Sequence, residues 1–496
     1  MQPAGPWTPE QAAVLERAAA SGDVKVVAFA GTGKTTTLEG IAREALPRRR
    51  ILYLAFNRTV AEEARHRFPA WVTARTPHAL AYAAVGYRYR SRLVTTPLAL
   101  RRALEERLPH SLRVLQGFGR RRAAAAFAVL ETLEAFCRSD AALPGPAHVP
   151  AWLVGALPEA EQAGFAAAAA QAARSAWRAL TDPAATLPVT HDVYLKLWQL
   201  SRPRLPFDAI LFDEAQDADP VVRALLLDQP VPRVVVGDPY QQLYAWRGAV
   251  NALQAFPGPE LALTRSWRFG PAVAATANRI LDILGERRRL VGGGPATATV
   301  LDRPDLGLET AVLTRSNAGA VAAALERLDK GRKVAVAGGV AHLVRLVEAA
   351  YAFSRGEPAR HPDLLAFNDW QELEMMAETE LGSGFRPVVQ LVHDYGRQLP
   401  EVTRRLATAT VPPSAAEVTI ATVHRAKGGE WDHVRLWDDF PPFARTAGDG
   451  TVRIDRAEAH LWYVAVTRAR RRLNLAGLGP RLEDSLRRAR QAVYNG

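Results

Sequence analysis

The sequence predicts an α/β protein of two parallel-sheet domains, each interrupted by a largely helical insertion. Three observations carry this. Short apolar runs, among them Val24–Val27, Ile51–Phe56, Ala209–Phe212 and Val234–Gly237, alternate with helical segments, as in a sheet buried on both faces. These runs end on polar or glycine-rich residues, at the rim where open α/β sheets bind ligands. Alanine- and leucine-rich helical patterns without that alternation fill about 86–190 and 341–413. The expected division is therefore 1–85 with 191–258 as the first domain and 86–190 as its insertion. The second domain is 259–340 with 414–496, and 341–413 is its short insertion.

The 496 residues suit three or four structural units, and 48% hydrophobic residues suffice for buried cores. A net charge of +12 points to a polyanionic partner. Only six of the 63 basic residues are lysines, so the basicity is arginine, which suits phosphate recognition. Cys137 is the single cysteine, which excludes an intrachain disulfide and a cysteine-held cluster. MQPAGPWTPE lacks a signal pattern, and no apolar run nears the ~20 residues of a membrane span. A reducing, cytoplasmic setting without a membrane partner is expected.

In chain order, Thr8 caps a helix with Pro9 at its first position, and Gln11 completes a capping box. The Gln11 amide could equally pair with an adenine edge, and the two readings are compatible. Ala28–Thr35, AFAGTGKT, lies between a strand and a helix, the setting of a phosphate-binding loop. Ala30, Gly31, Thr32, Gly33, Lys34, Thr35 and Thr36 form its phosphate-binding part. Gly31 and Gly33 let backbone N–H groups close on phosphate. Lys34 reaches the β/γ-phosphates and Thr35 ligates Mg²⁺. Ala28 stands where the usual pattern begins with glycine.

Phe56 ends a buried strand at the ligand rim, and Asn57 caps the next helix. Val72–Ala74 leads through Arg75 into Thr76-Pro77-His78. Within the first insertion, Gly119–Arg122 is a candidate phosphate contact. Asp213 and Glu214 follow a strand, as a metal-holding carboxylate and one that activates water. Gln241 lies past another strand, placed to sense a γ-phosphate. Tyr244, Trp246 and Arg247 interleave flat faces with a cation, the chemistry of a single-stranded nucleic-acid path. The second insertion is acidic, with Asp369, Glu372, Glu374, Glu378 and Glu380.

Together these motifs resemble the superfamily 1 helicases of the UvrD/Rep type, over nearly the whole chain. AFAGTGKTTTL, LAFNRTVAEEA, Thr76–Leu80, GDPYQQLYAWRGAVNAL, TVHRAKGGEWD and YVAVTRAR carry a likeness within that group to the F-box DNA helicase family. The resemblance implies two RecA-like domains with ATP and Mg²⁺ between them. It implies that Trp267 stacks on adenine, that Glu430 touches ribose, and that Arg268 and Arg468 reach the γ-phosphate from the second domain. It implies that Phe56, Asn57, Thr76, His78, Tyr244, Trp246, Arg247, Thr422 and His424 face DNA. The activity implied is 3′→5′ movement on single-stranded DNA and duplex unwinding in repair or recombination, with single-strand/duplex junctions and repair proteins as partners. Rival readings are a translocase that displaces proteins without separating strands, and a nucleotide-gated DNA-binding module. Six residues precede Trp7, so no F-box is expected, and too few follow Arg468 for a nuclease domain.

Overall fold

The computed structural model describes residues 7–494, apart from 21, 95–96, 156, 183, 244–251, 296–298, 304–308, 362–363, 365–366, 379–384 and 447–449. The expected Tyr244, Trp246 and Arg247 lie outside the described residues.

The first domain holds six strands: β1 (Val24–Ala28), β2 (Ile51–Leu54), β3 (Val72–Arg75), β4 (Ala209–Phe212), β5 (Arg233–Gly237) and β6 (Glu260–Leu263). All are parallel, in the order β3-β2-β4-β5-β1-β6. Every residue of β2 and β4 is buried, which explains their unbroken apolar sequence. The first sheet thus reaches residue 263, past the expected division at 258. Lys25 to Ala28 register with Glu260 to Leu263, and Leu263 is buried in the first core. A short edge strand with two inward apolar side chains, Leu261 and Leu263, carries too little periodicity to reveal its sheet.

The chain then forms β7 (Arg265–Ser266), which pairs with β8 (Val291–Gly292). The second sheet contains β9 (Thr299–Leu301), β10 (Ala311–Thr314), β11 (Val334–Val336), β12 (Val418–Thr422) and β13 (Trp431–Leu436). A small antiparallel pair, β14 (Ala444–Thr446) and β15 (Val452–Ile454), precedes its last strand, β16 (Ala469–Asn474). The second sheet is also wholly parallel, in the order β11-β12-β10-β13-β16-β9. Both insertions are helical, from Pro97–Arg107 to Glu159–Thr181 and from Ala341–Ser354 to Leu399–Ala409. Among the described residues no helix is long and apolar enough to cross a membrane.

The insertions pack on each other, and this corrects the reading of the Gly119–Arg122 corner. Arg120 is buried and donates from Nη1 to Glu372 Oε1 at 2.5 Å. Arg121 donates to the Asn368 carbonyl at 3.1 Å, and Arg122 donates to the Glu105 carbonyl. Beside them Trp152 lies 6.2 Å from Phe367 and 6.1 Å from Phe385. A buried guanidinium needs a fixed counter-charge, and the acidic second insertion supplies it. Glu372→Ala would leave Arg120 unpaired, at a cost of about 3 kcal/mol. The expected result is a lower melting temperature and faster amide exchange across Trp370–Glu378. Unchanged protection there would contradict the pairing.

Candidate nucleotide-binding cleft

The loops at the carboxyl ends of β1, β4 and β5 form one wall. After β1 the chain turns sharply, with Gly31 at φ +74° and Gly33 at φ +84°. A Cβ on Gly31 would lie 2.6 Å from both Arg268 Cβ and Ser266 Oγ, so only glycine fits this approach. The helix Lys34–Gly40 starts directly after Gly33, aiming its positive end into the turn. Thr32 Oγ1 donates to the Phe29 carbonyl at 2.8 Å, which braces the loop. Thr36 is exposed at its edge.

Lys34 Nζ is held loosely, 3.4 Å from the Ala28 carbonyl oxygen and 3.9 Å from Glu214 Oε1. Thr35 Oγ1 donates to Asp213 Oδ2 at 3.2 Å, and the Tyr53 hydroxyl donates to the same oxygen at 2.7 Å. Burial, then the adjacent Glu214 charge, raises the Asp213 carboxyl above its ordinary range. Burial acts the same way on Glu214, but Lys34, Lys427, the Gln216 amide and Arg468 outweigh it and bring that carboxyl down to about 2. Glu214 is therefore a carboxylate at neutral pH. It also sits in the left-handed region, at φ +52°. One serviceable oxygen pair, Thr35 Oγ1 and Asp213 Oδ2, fits a hard divalent cation completed by phosphate and water.

The facing wall comes from the second domain. Arg468, 1% exposed, donates to the Val464 carbonyl and, from Nη2, to Gln241 Oε1, both at 3.0 Å. Gln241 in turn donates to Asp238 Oδ2 at 2.7 Å. Burial, then the charge of Arg268, lowers Arg468 to about 9, so it stays cationic at neutral pH. The Tyr463 hydroxyl donates to Asp238 Oδ2 at 3.1 Å and accepts from Ala30 N at 3.4 Å. Arg268 corrects an expectation. The backbone N–H of its neighbour Trp267 donates to the Gly31 carbonyl at 2.9 Å, so Arg268 starts on the connecting segment against the first wall. Its side chain then reaches the second domain, donating to Glu430 Oε2 at 2.6 Å and to the Thr467 carbonyl at 3.1 Å.

Trp267 is 53% exposed, with the Arg265 guanidinium 6.0 Å from its ring centre. For Gln11 the capping box is formed: its backbone N–H donates to Thr8 Oγ1 and its Oε1 accepts from Thr8 N, both at 3.2 Å. Its Nε2 donates to Thr37 Oγ1, within 3.3 Å of where a Gly33 Cβ would lie. Along the first rim, Phe56 is exposed, while Asn57 and Thr76 accept from Val60 N and Ala79 N as helix caps. His78 Nε2 lies 3.0 Å from Asp192 Oδ1. Thr422 is buried at the end of β12, and half-buried His424 follows on the short helix Val423–Ala426.

Sequence reasoning missed Lys427, Asp217, Asp238, Tyr463 and Tyr53. Lys427 of the second domain pairs with buried Asp217 of the first and donates to the Gln241 carbonyl at 2.6 Å. Burial outweighs Lys427 and raises Asp217 to about 6. One signal was available: in a chain that uses arginine nearly everywhere, Lys34 and Lys427 are two of six lysines. Lys427→Met would strand the Asp217 carboxylate, at a cost of about 3–5 kcal/mol. Thermal unfolding should show the loss, and adding Asp217→Asn should restore part of it. Equal melting of wild type and Lys427→Met would contradict the bridge.

The fold and cleft define a phosphate-loop nucleotide-binding protein with two parallel-sheet domains closing on one site. Comparison narrows this. Residues 10–247 match the family model described as an AAA domain, and 403–477 match the UvrD-like helicase C-terminal domain. F-box DNA helicase 1 of Gallus gallus is 32% identical over 506 residues, covering 94% of this chain and 48% of that protein. F-box DNA helicase protein 1 of Schizosaccharomyces pombe is 29% identical, covering 94% of this chain and 57% of that protein. ATP-dependent DNA helicase UvrD2 of Mycobacterium tuberculosis is 28% identical, covering 54% and 47%. The chain spans about half the length of these curated relatives. Along 94% of its length the chain is similar to UvrD-like superfamily 1 helicases.

Proposed function

We propose that the chain is an ATP-driven motor that moves 3′→5′ on single-stranded DNA and unwinds duplexes, in DNA repair or recombination. The observation that carries this is the bridge from Arg468 of the second domain to Gln241 of the first, 3.0 Å long and opposite Lys34 and Glu214. A triphosphate bound there would touch both walls, so its cleavage would change how they hold together.

Backbone N–H groups of Ala30 to Thr36 and the Lys34 ammonium hold the phosphates. Thr35 and Asp213 hold Mg²⁺, which when bound offsets phosphate charge. Glu214, ionised at neutral pH, orients and deprotonates the attacking water. Arg468 and Arg268 stabilise the charge that develops on the transferred group, and Gln241 links it to the DNA path. Trp267 and Gln11 hold adenine, and Glu430 the ribose. Phe56, Asn57, Thr76, His78, Thr422 and His424 face DNA, with Tyr244, Trp246 and Arg247. Single-strand/duplex junctions are the substrate, and repair proteins the partners.

The test is unwinding of 3′-tailed against 5′-tailed duplexes with ATP, beside ATPase rates with and without single-stranded DNA. Unwinding of the 3′-tailed substrate with DNA-stimulated hydrolysis is expected. Displacement of a bound protein without strand separation would favour the translocase reading. No hydrolysis under any condition would leave a binding module and overturn the motor.

A further inference from the structure

We propose that single-stranded DNA continues beyond the motor cleft onto a track formed by Tyr82, Tyr87, Arg88 and Arg90, at the entrance to the first insertion. This rests on the motor reading and extends its DNA path past His78.

The helix Pro77–Ala84 leaves the rim of the first sheet carrying His78 and Tyr82 one turn apart, about 6 Å along its axis. Both rings meet Tyr194 edgewise, at 6.4 and 5.8 Å between centres. An edge contact occupies at most one face of a ring, and Tyr82 is 38% exposed. Gly86 shows that this ring pair is built in. A Cβ there would come within 2.8 Å of Tyr82 Cδ2 and 3.0 Å of Tyr194 Cγ. Tyr87 follows at 50% exposure, with the Arg88 guanidinium 5.7 Å from its ring centre.

The arginines divide by task. Arg92 donates to the carbonyls of Leu180, Asp182 and Leu187, which fastens this corner to the insertion. Arg88 and Arg90 are exposed and meet no carboxylate among the described residues. Exposed rings alternating with unneutralised guanidinium groups fit the stacked bases and phosphates of a single strand. An acidic or apolar protein partner would use the cations or the rings, not both in alternation.

The test is the affinity of the full chain for single-stranded oligonucleotides of ~6 and ~20 nucleotides, since one such site spans ~4–16. Tyr87→Ala and Arg90→Ala, both at exposed positions, are expected to weaken binding of the longer strand about 10-fold each, and the short strand little. Tyr87→Phe should bind as wild type does, because the ring stacks and the hydroxyl does not. A longer strand carrying 5-iodouracil should crosslink to Tyr87. Wild-type protein that binds single strands while Tyr87→Ala and Arg90→Ala match it at both lengths would overturn the track alone. Wild-type protein that binds neither length would overturn the motor reading and the track with it.

Discussion

Lys34→Ala is expected to lower ATP turnover by ~10²–10³-fold or more, the scale for removing one preorganised charge from a phosphoryl-transfer site. Two effects combine. The ammonium that meets the β/γ-phosphates is lost. Lys34 is also the foremost charge holding the Glu214 carboxyl down at about 2, so its removal lets burial raise that group. Among the described residues Lys34 makes a 3.4 Å hydrogen bond to the Ala28 carbonyl and a 3.9 Å approach to Glu214. It therefore gives up little to turn toward phosphate. Steady-state hydrolysis with saturating single-stranded DNA is the measurement. Ordinary turnover in the variant would remove the catalytic assignment.

Arg468→Ala is expected to cost ~10³–10⁵ in turnover, as when an arginine finger is withdrawn. Arg468 is buried on the second domain, with its Nη2 on Gln241 of the first. Nucleotide should still bind, because the phosphate loop lies on the other wall. A fluorescent ATP analogue should thus titrate nearly as in wild type while hydrolysis falls. Arg468→Lys separates charge from geometry: a lysine keeps the cation but cannot donate at once to Val464 and Gln241. It should melt close to wild type and remain slow. Hydrolysis by Arg468→Ala at the wild-type rate would show that the second wall takes no part in the chemistry.

Much of the site was legible because its residues are neighbours in the chain. AFAGTGKT carries loop, lysine and threonine within eight residues, and Asp213 and Glu214 sit together at the end of β4. The apolar runs named β1, β4 and β5 to within a residue and β2 to within two, since burial on both faces leaves little choice of side chain. The arginines of Gly119–Arg122 misled for the opposite reason. The partners of Arg120 and Arg121, Glu372 and Asn368, lie about 250 residues away, and a charge read without its partner looks free to bind phosphate. The Lys427–Asp217 bridge was hidden in the same way.

By itself, then, the sequence determined the kind of fold, the phosphate loop and the acidic pair, because local backbone conformation and residue spacing encode them. Tertiary structure alone decided which groups close the cleft: that Arg468 meets Gln241, that Lys427 meets Asp217, and that Arg268 starts beside Gly31. Those contacts join residues far apart in the chain, and only the packing of two separately folded sheets brings their charges within a few ångströms.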